Sequence, residues 1–111
     1  MANSRRCRMF ALVSVVALGA VLTAASFAGA AEADLIEEGR DLYADMCAVC
    51  HGRDMVNSGA LSFDLRKFPK DDPARFRDSV LNGKNQAMPA WRDRLSDDDI
   101  AALWAYVKSG G

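Results

Sequence analysis

The chain has 111 residues, half of them hydrophobic, with 14 Lys plus Arg against 15 Asp plus Glu and a formal charge of minus one. Neither a nucleic-acid motif nor a phosphate-binding loop, internal repeat or low-complexity tract occurs in it, which excludes the functions built on those features. The average composition conceals two unlike parts.

Residues 1 to about 30 read as a secretory leader. Arg5, Arg6 and Arg8 make a positive start, Met9 to Ala25 is uncharged, and Ala28-Gly29-Ala30 is a small-residue cleavage site. The mature chain is expected to begin at Ala31 or Glu32. Cys7 leaves with the leader and no cysteine closely follows the apolar run, so a lipid-modified N-terminus is not expected. Ser4-Arg5-Arg6 hints at twin-arginine export, but Arg8 stands where that signal wants an apolar residue, which favours export of an unfolded chain. The competing reading keeps the run as a single membrane anchor, since with the Ala-rich stretch behind it the segment nearly spans a bilayer.

Without the leader, residues 31–111 form one domain with 11 Lys plus Arg against 15 Asp plus Glu, a charge of minus four. About eighty residues bury too little apolar surface to be comfortable alone. A bound group that completes the core is therefore expected, and the chain without it should fold poorly.

Asp34 to Met46 has helical spacing, with Asp34 as the predicted N-cap, Glu37 and Glu38 in the first turn, and Leu35, Gly39, Leu42, Tyr43 and Met46 on one face. Gly39 in mid-helix costs up to about 1 kcal/mol against alanine, a cost usually accepted where another backbone comes close. Cys47-Ala48-Val49-Cys50-His51 follows directly. Two cysteines three apart with histidine next is the arrangement that attaches haem: each thiol adds to a porphyrin vinyl group and the imidazole reaches iron. A redox dithiol shares the Cys spacing but has no need of His51 and would sit in a strand–helix–strand pattern absent here. A closed zinc site would need a carboxylate, because Cys47, Cys50 and His51 are the only Cys or His after the leader.

Gly52 to Lys70 has neither helical nor strand periodicity and is predicted to be a loop wrapping the cofactor. Asp72-Pro73 opens a short helix with Phe76, Val80 and Leu81 on its apolar face, ending at Asn82-Gly83. Lys84 to Arg94 is a second loop, containing Met88-Pro89-Ala90-Trp91. Ser96 caps a last helix with three aspartates in its first turn and Ile100, Leu103, Trp104 and Val107 at helical spacing.

His51 is the only histidine in the sequence, so a second axial ligand to iron within this chain must be Met, Lys, solvent or nothing. Met46 and Met55 flank the attachment motif and are tied to the proximal side. Met88 lies far enough along to round the ring, and Pro89 stiffens the segment that would present its sulfur. Thioether ligation favours ferrous over ferric iron and leaves no open site, which points to outer-sphere transfer of one electron.

These residues resemble the class I, monohaem cytochrome c family over essentially the whole mature chain. Cys47 to Gly52 resembles the attachment motif, Asn82-Gly83-Lys84 through Met88-Pro89-Ala90 the sixth-ligand loop, and Leu95 to Val107 the terminal helix. The resemblance implies an all-α fold in which the first and last helices cross, Gly39 and Tyr43 meeting Leu103 and Tyr106, with short helices and loops wrapped round a covalent haem c. It implies attachment at Cys47 and Cys50 and axial ligation by His51 and Met88, with Leu65, Phe63 and Trp91 as candidate haem-pocket residues. The family usually has a proline about a dozen residues after the proximal histidine, whose carbonyl accepts the imidazole N–H. Here Phe63 falls near that place, and Asp64 is an alternative acceptor.

Charge is uneven. Residues 31–52 hold one Arg against six acids and residues 95–111 one Lys against three, whereas residues 53–94 hold nine Lys plus Arg against six Asp. The loops around the haem edge are thus expected to be positive and to steer toward an acidic docking surface on a redox partner. The leading expectation is a monomeric, soluble periplasmic electron carrier. The segment Ser62 to Asp72 resembles small cytochromes that serve quinoprotein alcohol dehydrogenases, and an oxidase or reductase partner fits equally. The alternatives are a haem protein that senses or, peroxidase-like, turns over a small ligand such as carbon monoxide, nitric oxide or peroxide after Met88 releases, and a membrane-held subunit of a larger complex.

Overall fold

The computed structural model describes residues 20–57 and 62–111, with side chains from residue 28 onward. The leader's charges and most of its apolar run lie outside the described residues, as do residues 58–61 of the first loop. Among the described residues the chain is all-helical: α1 (Ala20–Met46), α2 (Ala48–His51), α3 (Pro73–Asn82) and α4 (Asp97–Ser109), with 3₁₀ turns at Arg53–Met55 and Leu65–Lys67.

Helix α1 does not begin at Asp34 as its sequence suggested; it runs upstream to Ala20. The stretch before Asp34 is rich in alanine, the best helix former, and its single glycine is not enough to stop propagation. Packing nevertheless starts where the predicted helix starts. Residues 28–34 are exposed, and burial sets in at Leu35.

The crossing of α1 with α4 is the centre of the core. Gly39 is buried, and a Cβ placed on it would stand 1.9 Å from the Ala102 carbonyl oxygen and 3.0 Å from Tyr106 Cβ. Any side chain here would push the helices apart. One turn along, the rings of Tyr43 and Tyr106 meet at 5.3 Å, and both are buried with Leu103 and Val107. The contact expected from family resemblance is present, with Ala102 added as the residue directly under the glycine.

Helix α4 begins as its sequence dictates. Ser96 accepts from the Asp99 backbone N–H at 3.1 Å while the Asp99 carboxylate accepts from the Ser96 backbone N–H at 2.7 Å, a reciprocal capping box. That pairing holds the Asp99 carboxyl below the usual carboxylate range. At the other end, Lys70 Nζ donates to the Val107 carbonyl, placing a cation at the negative end of the helix dipole. Helix α3 starts at Pro73 with Asp72 accepting from the Arg75 N–H, and buries Phe76 and Val80. Phe68, Phe76 and Trp104 stack edge-on and tilted, with centroids 5.2–6.1 Å apart, joining the first loop and α3 to α4.

The two 3₁₀ turns depart from the plain loop expected of residues 52–70. Each is a single turn, too short to leave periodicity in the sequence. The second is capped by Asp64, whose carboxylate accepts from the Arg66 N–H.

Candidate haem-binding site

The attachment motif sits where α1 turns into α2. Cys47 N–H donates to the Tyr43 carbonyl at 2.9 Å and His51 N–H to the Cys47 carbonyl at 2.9 Å, so the motif forms one continuous helical corner. A single turn puts Cys47, Cys50 and His51 on neighbouring positions of it. Cys47 is half-buried against the core while Cys50 is exposed. Burial, and secondarily the neighbouring Cys50, push the Cys47 thiol up to about 11. A redox dithiol shows the opposite shift, a lowered thiol.

Tyr43 closes the corner from beneath. Its hydroxyl donates to the Gly52 carbonyl at 2.7 Å, tying the buried crossing to the residue after His51. Burial, aided by Cys47 and Tyr106, raises this phenol to about 12, so it keeps its proton.

His51 is half-buried, and its Nδ1 lies 3.0 Å from the Phe63 carbonyl. A carbonyl can only accept, so Nδ1 carries a proton and, in the neutral ring that can ligate a metal, Nε2 keeps the lone pair. Phe63 thus provides the acceptor although no proline stands there. Asp64 does not. Its carboxylate forms a bidentate pair with Arg66 at 2.9 Å, which holds Asp64 low and is satisfied away from the imidazole.

Met88 is half-buried against the core, on a loop closed by two backbone hydrogen bonds. Lys84 N–H donates to the Met88 carbonyl at 3.1 Å and Met88 N–H to the Lys84 carbonyl at 3.0 Å. The reversal is made by Asn85 and Gln86, both left-handed with φ of 52° and 59°. Gly83 (φ 71°) admits the close return: a Cβ there would lie 2.3 Å from the Met88 carbonyl oxygen. Trp91 N–H then donates to the Val80 carbonyl at 3.0 Å, anchoring the loop on α3.

Among the pocket candidates, Leu65 and Trp91 are half-buried against the core, whereas Phe63 is 52% exposed beside His51. The Arg94 guanidinium lies 5.0 Å from the centroid of Trp91, and Arg75 lies 5.4 Å from that of Phe68. Two side chains that the sequence did not single out as site residues, Asn57 and Ser62, join the loop to the motif: Asn57 donates to Ser62, and Ser62 donates to the Cys50 carbonyl. Their residue types favour such side-chain-to-backbone bonds, but nothing in the pattern says which carbonyl they reach.

This donor set suits a covalent porphyrin: two neighbouring thiols, an imidazole with Nε2 left free, and an exposed aromatic face beside it. The family described as cytochrome c oxidase, cbb3-type, subunit III matches residues 34–107. The chain belongs to the cytochrome c family. Cytochrome c6 of the alga Bryopsis maxima is 37% identical over 83 residues, covering 65% of this chain and 88% of the relative. The cbb3-type cytochrome c oxidase subunit CcoP of Azospirillum brasilense is 32% identical over 88 residues, 72% of this chain but 30% of the subunit. A quinohemoprotein alcohol dehydrogenase, ADH IIB of Pseudomonas putida, is 34% identical over 76 residues, 67% of this chain and 11% of the enzyme. The chain thus spans under a third of the oxidase subunit and most of the algal cytochrome. No solved structure matches it significantly. Members of the family carry covalent haem c, and Cys47 to His51 occupies the corresponding position, so this chain is a small monohaem cytochrome c.

Proposed function

We propose that this cytochrome is a periplasmic carrier of single electrons, exported by a leader cleaved near residue 30. The bound haem supplies a one-electron iron couple. Cys47 and Cys50 hold it by thioether bonds, His51 Nε2 is the proximal ligand, and Met88 sulfur is the second. The observation that carries this reading is the hydrogen-bonded turn from Lys84 to Met88: a methionine held in a closed, anchored loop is fitted to stay bound, as a carrier requires. Leu65, Phe63 and Trp91 would line the porphyrin.

Partner choice follows from charge. Arg66, Arg77 and Lys84 are engaged by Asp64, Asp97 and Asp78, whereas Arg75 and Arg94 lie over aromatic rings at the candidate pocket or its adjoining core. Arg94, with Arg53 and Lys67, leaves positive charge on the segments that carry the cofactor residues, and Arg75 adds one on α3; such a surface suits an acidic one on an oxidase subunit or a quinoprotein dehydrogenase. Steering of this kind weakens as salt rises.

A second reading, a membrane-held subunit, draws on the unbroken run of α1 from Ala20 into the domain and on the likeness to oxidase subunits. Among the described residues no helix is long and apolar enough to cross a membrane. Intact mass separates the two: the carrier loses about thirty residues and gains one haem.

Visible spectra of the oxidised, reduced and carbon-monoxide-treated reduced holoprotein test the ligation. A low-spin reduced spectrum indifferent to carbon monoxide is expected. Ready conversion by carbon monoxide would replace the carrier with a small-ligand-binding protein.

A further inference from the structure

We infer that Ser62 is a positioning residue for the proximal imidazole, fixing the backbone whose carbonyl orients His51. This rests on the reading of His51 as an axial ligand. The Ser62 hydroxyl donates to the Cys50 carbonyl, and the next residue along, Phe63, offers its carbonyl to His51 Nδ1–H at 3.0 Å. Two successive bonds therefore join residues 50–51 to residues 62–63, one from a side chain on each segment.

Ser62 is itself held. Asn57 Nδ2 donates to the Ser62 carbonyl, and the same nitrogen lies 3.4 Å from Ser62 Oγ. Beyond Phe63 the backbone is fixed by the Asp64-capped turn. The Phe63 side chain is half exposed and touches Phe68 edge-on at 6.4 Å, so burial of its own ring contributes little to placing its carbonyl. On the near side the Ser62 hydroxyl is the restraint that ties this segment to the Cys50 carbonyl, beside the Asn57 amide on the Ser62 carbonyl.

Such a bond contributes only modestly to stability, so its loss loosens the acceptor without unfolding the domain. Imidazole whose N–H is well bonded to a carbonyl is a richer donor and favours ferric iron. A slack Phe63 carbonyl shifts the balance toward ferrous.

The test is the reduction potential of the holoprotein, with exchange of the His51 Nδ1 proton followed by NMR, in Ser62→Ala, Ser62→Thr and Ser79→Ala. Ser79, whose hydroxyl donates to the Arg75 carbonyl within α3, is the control. Ser62→Ala is expected to favour the ferrous form by about threefold at fixed poise, about 28 mV for a one-electron couple at 59 mV per decade, and to quicken proton exchange. Ser62→Thr, which keeps the hydroxyl, restores both, and Ser79→Ala moves neither. Parent-like potential and exchange in Ser62→Ala, with only a lowered melting point, would overturn the inference while leaving the carrier function intact. If Ser62→Ala fails to assemble, Ser62→Gly decides by the same two readouts: a change in the same direction supports the inference, and parent-like values overturn it. A parent spectrum without histidine-ligated low-spin iron would overturn both readings together.

Discussion

The α1–α4 crossing and the loops that carry the cofactor residues are built on different physics. The crossing is apolar and close: Gly39 lets the Ala102 backbone in, and Tyr43, Leu103, Tyr106 and Val107 are all but removed from water. The loops are placed by hydrogen bonds and left-handed residues, with Asp54, Met55, Asn85 and Gln86 all at positive φ. Close packing resists change of volume, whereas a hydrogen-bonded loop is fixed in direction but adds little to stability. Substitutions should separate the two regions, those in the crossing acting on stability and those in the loops on the iron.

The largest effect is expected at the attachment motif. Cys47→Ser with Cys50→Ser removes both thiols, and the purified chain should then carry no covalent haem, read as loss of the pyridine haemochrome band; retention of that band would end the attachment assignment. Next is Met88→Ala, which should bring carbon monoxide binding to a reduced protein that otherwise ignores it, with little change in helix content by circular dichroism. Gly39→Ala tests the other region: the methyl group meets the Ala102 carbonyl, and the cost of about 1–3 kcal/mol should lower the melting temperature while the reduced spectrum stays that of the parent.

Tyr43 bridges the two regions and responds to pH. Its phenol is raised from the ordinary 10 to about 12, mainly by burial, so the folded chain holds this proton more tightly than the unfolded one. The associated stability is complete below pH 10 and is lost as pH rises toward 12. Melting temperature should fall over that window, and Tyr43→Phe, which has no proton there, should flatten the fall. The smallest effect belongs to Ser96→Ala, which removes the cap of α4 for about 1 kcal/mol and should leave the reduction potential unchanged.

Local signals were legible wherever chemistry and position coincide along the chain. Pro73 and Gly83 bound α3, Ser96 with Asp99 starts α4, and Cys47-x-x-Cys50-His51 marks the cofactor without reference to anything distant. The start of α1 was not legible, because alanine-rich sequence continues a helix past any cap and the packed face begins only at Leu35. Nor were the 3₁₀ turns, whose single revolutions leave no period to read.

What the sequence by itself determined is the haem-attachment motif, both ends of α3 and the start of α4, since each depends on residues within a few positions of one another. Only the tertiary structure decided that Phe63 rather than Asp64 accepts from His51, that Ser62 reaches the Cys50 carbonyl, and that Ala102 lies under Gly39. Each of those is a contact between segments twelve or more residues apart, and its partner is set by how the chain closes on itself, which no local pattern records.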